Sequence, residues 1–299
     1  MNTIKLGTRG SKLALWQAEQ TKQLLAEIGV QAGIQIIKTR GDQERHLSFD
    51  KMEGKGFFTK EIEEALIRGN IDLAVHSMKD LPTQMDDRLA IAGVSNRADP
   101  SDWILIRSEA FDDKMTLKLE PNAIIGTSSV RRKSQLMAIR SDLHTKDLRG
   151  NVPTRIQKLR SGSFDAIVLA AAGIIRLDLA LDEFELVKLH PREFVPAPAQ
   201  GVLAYQTRAD DNLTRSIVQK LHQQNVAELT NVERSVLKLF DGGCHLPLGV
   251  YCEKDQMSNY HIWAAYAPNL DAPLRRSTLS FNTTHGLADG IFESLTKAP

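Results

Sequence analysis

Short apolar runs alternate with amphipathic stretches from the N-terminus to about residue 210, the pattern of βαβ units in an α/β protein. Ile4 to Gly7 reads as a strand, and Ser11 is placed to cap a helix running through Leu13, Leu15, Trp16 and Leu24. A second strand (34–38) and a Gly-rich loop come next. Then follow a helix from Phe58 to Arg68 stopped by Gly69 and a buried-strand candidate, Ile71 to Val75, ending at His76-Ser77-Met78-Lys79-Asp80.

The same grammar returns after residue 120. Strand Ile124-Ile125 runs into Gly126-Thr127-Ser128-Ser129 and a helix, as Leu6 runs into Gly7-Thr8-Arg9-Gly10-Ser11 and a helix. Gly162-Ser163-Phe164-Asp165 leads into the apolar run Ala166–Ala171, as Gly69-Asn70-Ile71-Asp72 leads into Leu73–Val75. This weak repeat predicts two similar α/β lobes. Such lobes take ligands in the cleft between them, at strand C-termini and helix N-termini, where backbone N–H groups and the helix dipole favour anions. Pro191, Pro196 and Pro198 break the pattern before Gln200-Gly201, and Val202 to Thr207 reads as a strand returning to the first lobe. Beyond Leu213 come two helical stretches to about Phe240, a Gly242-Gly243 break, three alternating strands around Val250, Trp263 and Leu279, and a last helix. That order predicts an α+β domain with an antiparallel sheet.

A chain of 299 residues with 42% hydrophobic and 25% charged residues suits two or three globular domains and needs no disulfide or metal staple. The longest apolar run, Ala166 to Ile175, is about half of a bilayer span, and the opening residues MNTIKLGTRG lack a signal-peptide core. Two cysteines, Cys244 and Cys252, make no disulfide framework, so a cytoplasmic protein without a membrane partner is expected. The net charge of +1 conceals a segregation: the chain is net −2 over residues 1–126, +7 over 127–160 and −4 over 161–299.

The basic block holds the first candidate chemistry. Thr127, Ser128, Ser129, Arg131, Arg132 and Lys133 lie at a strand-to-helix turn, where hydroxyls, backbone N–H groups and guanidinium forks bind carboxylate or phosphate oxygens. A capped helix with a solvated basic face accounts equally for that segment alone. Arg149 and Arg155, flanking the turn Gly150-Asn151, add cations beyond what a lone phosphate needs and point to a polyanion. Lys79 and Asp80 end a strand at the sheet edge where active sites gather. A buried carboxylate beside an ammonium stays ionised and can stabilise a developing cation or carry a proton, although a surface pair is the plainer reading. Gly54-Lys55-Gly56-Phe57-Phe58 reads as a Gly-hinged covering loop and lacks the spacing of a phosphate-binding P-loop. Gly242-Gly243-Cys244-His245 presents a thiol on a tight loop. A small buried hydrophobe is its commonest role, a nucleophile or attachment point the sharper one, and Cys244, His245, Cys252 and His261 lack the paired spacing of a zinc site. A nucleic-acid binder is disfavoured because no recognisable module surrounds the basic block and its flanks are acidic. A non-enzymatic two-lobed anion-binding protein fits the repeat, but it calls for an export signal and no special cysteine.

Eight collinear stretches resemble the porphobilinogen deaminase (hydroxymethylbilane synthase) family: GTRGSKLALWQ (7–17), GKGFFTKEIE (54–63), DLAVHSMKDLPT (72–83), IGTSSVRR (125–132), LRGNVPTR (148–155), AIVLAAAG (166–173), AQGVL (199–203) and GGCHLPLG (242–249). The resemblance implies two lobes like those of periplasmic binding proteins (1–98 plus 200–217, and 99–199) and a C-terminal α+β domain with a three-stranded antiparallel sheet (218–299). It implies a monomeric cytoplasmic transferase of tetrapyrrole (haem) biosynthesis, joining four porphobilinogen molecules head to tail with release of ammonia. Asp80 is then the catalytic carboxylate, and Cys244 carries a covalent dipyrromethane. By motif position Lys79, Thr127, Ser129, Arg131, Arg132 and Arg155 hold that cofactor's carboxylates. Arg9, Ser11, Arg149 and Gln200 meet the substrate ring, and Lys55 sits on the covering loop. Lys12, Pro153, Ala199 and Gln206 depart from the family's usual residues without removing a proposed chemical group.

Overall fold

The computed structural model describes residues 3–39, 59–241 and 246–297. In chain order the elements are β1 (Ile4–Thr8), α1 (Lys12–Glu27), β2 (Ala32–Ile36), α2 (Lys60–Ile67), β3 (Leu73–Ser77), β4 (Leu89–Val94) and β5 (Asp102–Arg107). Then come β6 (Ile124–Gly126), α3 (Val130–Ile139), β7 (His144–Lys146), α4 (Val152–Arg160), β8 (Ala166–Ala170), α5 (Ala171–Arg176) and β9 (Phe184–Leu189). The remainder is β10 (Leu203–Arg208), α6 (Asn212–Gln219), α7 (Gln224–Leu239), β11 (Leu248–Lys254), β12 (Tyr260–Tyr266), β13 (Arg275–Phe281) and α8 (Leu287–Thr296).

The chain divides into two compact units, residues 1–98 with 201–227, and 99–200 with 228–299. The first is built on a sheet of order β2-β1-β3-β10-β4, in which β1 is parallel to β2 and β3 while β10 runs antiparallel to β3 and β4. One face packs Leu6, Val75 and Tyr205 on Ala18 and Leu25 of α1, and the other packs Ala74 on Ile62 and Leu66 of α2. Strands covered on both sides read as continuous apolar runs, as Leu73-Ala74-Val75 does. Leu6, Leu25, Leu66 and Leu73 are fully buried, each contributing about 1.5–3 kcal/mol of transfer free energy.

The second unit repeats the pattern with order β7-β6-β8-β5-β9: β6 is parallel to β7 and β8, and β5 antiparallel to β8 and β9. Ile104, Ile106, Ile125 and Val168 meet Leu136 of α3 on one face, while Leu105, Ile167 and Leu169 meet Ile156 and Leu159 of α4 on the other. The apolar run at 166–175 thus splits into a strand and a helix, and the Ala171 N–H, donating to the Ser101 carbonyl at 3.0 Å, extends the β5–β8 register by one pair where the helix begins. A separate core in the same unit packs β11, β12 and β13 on α7 and α8 through Val236, Val250, Cys252, Ile262 and Ile291. That sheet is pinned to the segment after β9 by Val250 N–H donating to the Pro196 carbonyl at 3.0 Å. The approach is so close that a Cβ on Gly249 would lie 2.4 Å from the Val195 carbonyl oxygen. No helix among the described residues is long and apolar enough to cross a membrane.

Candidate functional site

Parallel pairing brings the carboxyl ends of β1 and β3 to one edge of the first sheet. Ser11 Oγ accepts from Ala14 N–H at 3.2 Å and caps α1, while Thr8 Oγ1 donates to the Ala14 carbonyl at 3.0 Å. Gln17 Nε2 ties the helix to the end of β3 by donating to Ser77 Oγ at 3.0 Å. Lys79 and Asp80 follow in one tight 3-10 turn, Met78–Asp80. Asp80 is exposed, not buried as a carboxylate in that pairing would be, because Met78 takes the inward position of the turn. Beneath this edge His76 is buried, its Nε2 3.0 Å from Gln206 Oε1, and Gln206 Nε2 donates onward to Glu63 Oε1 at 3.0 Å. Burial pushes the imidazole pKa down to about 4; the Gln206 hydrogen bond opposes this, and the charge of Arg9 adds to it.

The equivalent edge of the second sheet carries the basic block. Thr127 N–H donates to the Lys146 carbonyl at 2.8 Å, Thr127 Oγ1 accepts from Ser129 N–H at 3.2 Å, and Ser129 Oγ caps α3 by accepting from Arg132 N–H at 3.4 Å. The next turn, at Arg149 to Asn151, leads into α4. Asn151 Oδ1 caps that helix by accepting from Thr154 N–H at 2.9 Å, and Pro153 sits in its first turn, where a missing N–H costs nothing. Gly150 has φ 113, and a Cβ there would come within 2.7 Å of Thr154 Cγ2. Arg155 Nε donates to the Gly150 carbonyl at 2.8 Å, so the arginine folds back onto the turn that Arg149 begins.

Arg131 and Arg132 have a partner that reading along the chain did not identify. Antiparallel pairing sets Asp102, the first residue of β5, opposite Ala170 at this same edge. Its Oδ2 accepts from Arg131 Nη2 at 2.8 Å, and its Oδ1 accepts from Arg132 Nη2 at 2.7 Å and from Gln200 Nε2 at 2.9 Å. All four residues are buried. Burial alone would raise the Asp102 pKa, but the charges and hydrogen bonds of the two guanidinium groups outweigh it and hold the carboxyl well below the usual range. Burial lowers the Arg131 pKa in turn, with Asp102 opposing. The other guanidinium nitrogens reach backbone, Arg131 Nη1 to the Val195 carbonyl at 2.7 Å and Arg132 Nη1 to the Val168 carbonyl at 2.9 Å. An aspartate opening an otherwise apolar strand two residues after Pro100 was the one sequence signal of this hub.

A second buried carboxylate fixes the segment containing Gln200. Glu233 on α7 accepts from Ala199 N–H at 2.6 Å and from Cys252 N–H at 2.8 Å. It holds Ala199 at φ 61, a conformation that glycine adopts freely and alanine does not.

Two cations against one carboxylate leave the hub with a surplus positive charge, and Arg132 Nε is buried with no hydrogen-bond partner among the described residues. Both features fit an anionic group at this edge, carboxylate-bearing dipyrromethane included. Lys55 and Cys244, the remaining expected site residues, lie outside the described residues.

The motifs and the geometry agree with what the chain is similar to. Residues 4–216 match the sequence model of the family described as "Porphobilinogen deaminase, dipyromethane cofactor binding domain". Proteins named porphobilinogen deaminase match it from Maridesulfovibrio salexigens, 43% identical over 262 residues (86% of this chain, 83% of the relative), and from Thermus thermophilus, 43% identical over 260 residues (86% and 82%). Among solved structures, an ABC-transporter periplasmic substrate-binding protein from Coxiella burnetii aligns at TM-score 0.45 and 16% identity, covering 75% of this chain and 94% of that one. The family match spans well over half of the chain and the named relatives are similar to it across most of their own length, so the chain belongs to the porphobilinogen deaminase family.

Proposed function

We propose that this protein is a cytoplasmic, monomeric transferase of tetrapyrrole (haem) biosynthesis that joins four porphobilinogen molecules head to tail into hydroxymethylbilane, releasing ammonia. Its working parts are two lobes, 1–98 with 200–217 and 99–199, and a cofactor-bearing domain, 218–299. The observation that carries the reading is the surplus positive charge of the Asp102–Arg131–Arg132 hub, with an Arg132 Nε that has no hydrogen-bond partner among the described residues. Porphobilinogen bears an acetate and a propionate on its ring, so a chain of such rings is a polyanion, and a single small anion would not call for so many cations.

Dipyrromethane, held as a thioether on Cys244, supplies the unsubstituted pyrrole carbon to which new rings are joined. Lys79, Arg131, Arg132 and Arg155 neutralise carboxylates, and the Thr127 and Ser129 hydroxyls orient them at the start of α3. Arg9, Ser11, Arg149 and Gln200 seat the incoming ring, and Lys55 covers it. Asp80 does the chemistry. As the carbon–nitrogen bond of the aminomethyl group breaks and ammonia departs, positive charge spreads into the substrate pyrrole, and a carboxylate at its N–H stabilises that charge. The proton released as the new carbon–carbon bond forms would pass to the Asp80 carboxylate and from it to the departing ammonia, which leaves Asp80 ionised as it began.

Intact-mass spectrometry of the purified protein and of Cys244→Ser tests the attachment. The expected result is a wild-type mass above that of the bare polypeptide by one dipyrromethane, and a bare mass for the variant. Bare masses for both would sink the reading.

A further inference from the structure

We propose that Gln135 is a positioning residue for the reaction assigned above: it sets how the sheet that follows Cys244 stands against the arginines that hold the cofactor's carboxylates. The inference rests on that assigned reaction. Gln135 is fully buried on α3, one turn after Arg131, and carries no charge with which to meet a ligand itself.

Its side-chain amide pairs with the backbone of Val195 as a neighbouring strand would. The Val195 N–H donates to Gln135 Oε1 at 2.7 Å, and Gln135 Nε2 donates to the Val195 carbonyl at 2.9 Å. An amide offers an acceptor and a donor side by side, and the two bonds together fix which way it points. The same carbonyl accepts from Arg131 Nη1 at 2.7 Å. Val195 is itself buried, so without Gln135 its N–H loses that partner in a place shut away from water.

From the other side the segment around Val195 is stitched to the C-terminal sheet. Val250 N–H donates to the Pro196 carbonyl at 3.0 Å, Arg276 Nη1 donates to the Glu193 carbonyl at 2.6 Å, and Arg192 pairs with Glu253. Gly249, five residues after Cys244, lies against the Val195 carbonyl, where a Cβ would come within 2.4 Å of the oxygen. Val195 is thus held between α3 and that sheet, all within the compact unit 99–200 with 228–299. Arg131 is engaged by Asp102 and assigned to a carboxylate, which leaves Gln135 as the α3 side chain that holds Val195 and meets no ligand. A dipyrromethane tethered at Cys244 and gripped by arginines is fixed at both ends, so the spacing of those ends decides where the next ring can join. A misplacement of about 1 Å costs on the order of 10²-fold in rate.

The test is Gln135→Met, which keeps the side-chain length and removes both bonds. Hydrogen–deuterium exchange should show the amides of residues 192–195 exchanging roughly tenfold faster or more, with those of β5 and β8 unchanged. In folded protein that intact mass shows to be loaded, kcat should fall roughly 10–100-fold while the KM for porphobilinogen stays within about threefold. A role confined to stability would lower the folded fraction and leave kcat per folded molecule alone. Gly249→Ala, which pushes the same carbonyl from the sheet side, should lower kcat likewise and carries the test if Gln135→Met does not fold. Wild-type kcat in either folded, loaded variant overturns the inference, as does wild-type exchange at 192–195 in Gln135→Met, or a variant isolated bare beside a loaded wild type. A bare or inactive wild type overturns instead the function on which the inference rests.

Discussion

Replacing His76 with glutamine should flatten the acid limb of the protein's stability profile. His76 is 6% exposed, and its side-chain hydrogen-bond partner among the described residues is the amide oxygen of Gln206, whose nitrogen is engaged by Glu63. That order leaves the imidazole proton on Nε2 and makes a second ring proton costly. The folded pKa, about 4, lies below the ordinary histidine value of 6.5, so between these two values the unfolded chain binds a proton that the folded chain refuses. Stability is therefore undiminished above pH 6.5 and falls as the pH drops toward 4. At 1.36 kcal/mol per pH unit the full effect is about 3 kcal/mol, most of which is lost by pH 4.5. Glutamine can still meet Gln206 but does not titrate. Urea unfolding followed by circular dichroism at pH 7.5 and 4.5 should show the wild type losing about 2–3 kcal/mol more than His76→Gln. Carboxylates common to both proteins cancel in that difference. Equal losses, within roughly 0.5 kcal/mol, would refute a buried neutral imidazole.

Two further substitutions separate the buried hub from the proposed role of Asp80. Asp102→Asn strands two buried guanidinium groups without an anion and should cost about 3–5 kcal/mol in urea unfolding, whereas a loss below about 1 kcal/mol would mean that the arginines need no counter-ion. Asp80→Asn alters an exposed side chain and should leave stability within about 0.5 kcal/mol, while porphobilinogen consumption falls on the order of 10²–10³-fold; a wild-type rate would remove Asp80 from the chemistry.

What was legible in the sequence was local. Ser11 and Ser129 cap helices where the turn pattern placed them, because an N-cap is decided within four residues, and the returning strand after Gln200-Gly201 joins the first sheet as β10. Strands β4, β5, β7 and β9 went unread, and the run at 166–175 hid a strand-to-helix switch, since apolar periodicity alone does not separate a doubly covered strand from a buried helix. The hub was out of reach for a different reason. Asp102 precedes Arg131 by 29 residues and Gln200 by 98, and only the antiparallel insertion of β5 beside β8 brings it to the edge. His76 and Gln206, 130 residues apart, meet through β10 in the same way, and the exposure of Asp80 depends on how one 3-10 turn presents its three residues.

The position of β10 also dictates an order of assembly. Every strand of the β7-β6-β8-β5-β9 sheet lies between residues 102 and 189, so that sheet can close as soon as its own segment has been synthesised. The first sheet cannot. Its β3 and β4 are joined only by β10, which emerges more than a hundred residues after β4 ends, roughly 5–20 s later at ribosomal speed. During that interval the N-terminal segment presents two unpaired strand edges, one carrying Leu73-Ala74-Val75, with no native partner yet made. The part of the chain synthesised first is thus completed after the part that follows it, and nascent chains halted between residues 100 and 200 are where aggregation or chaperone capture should concentrate.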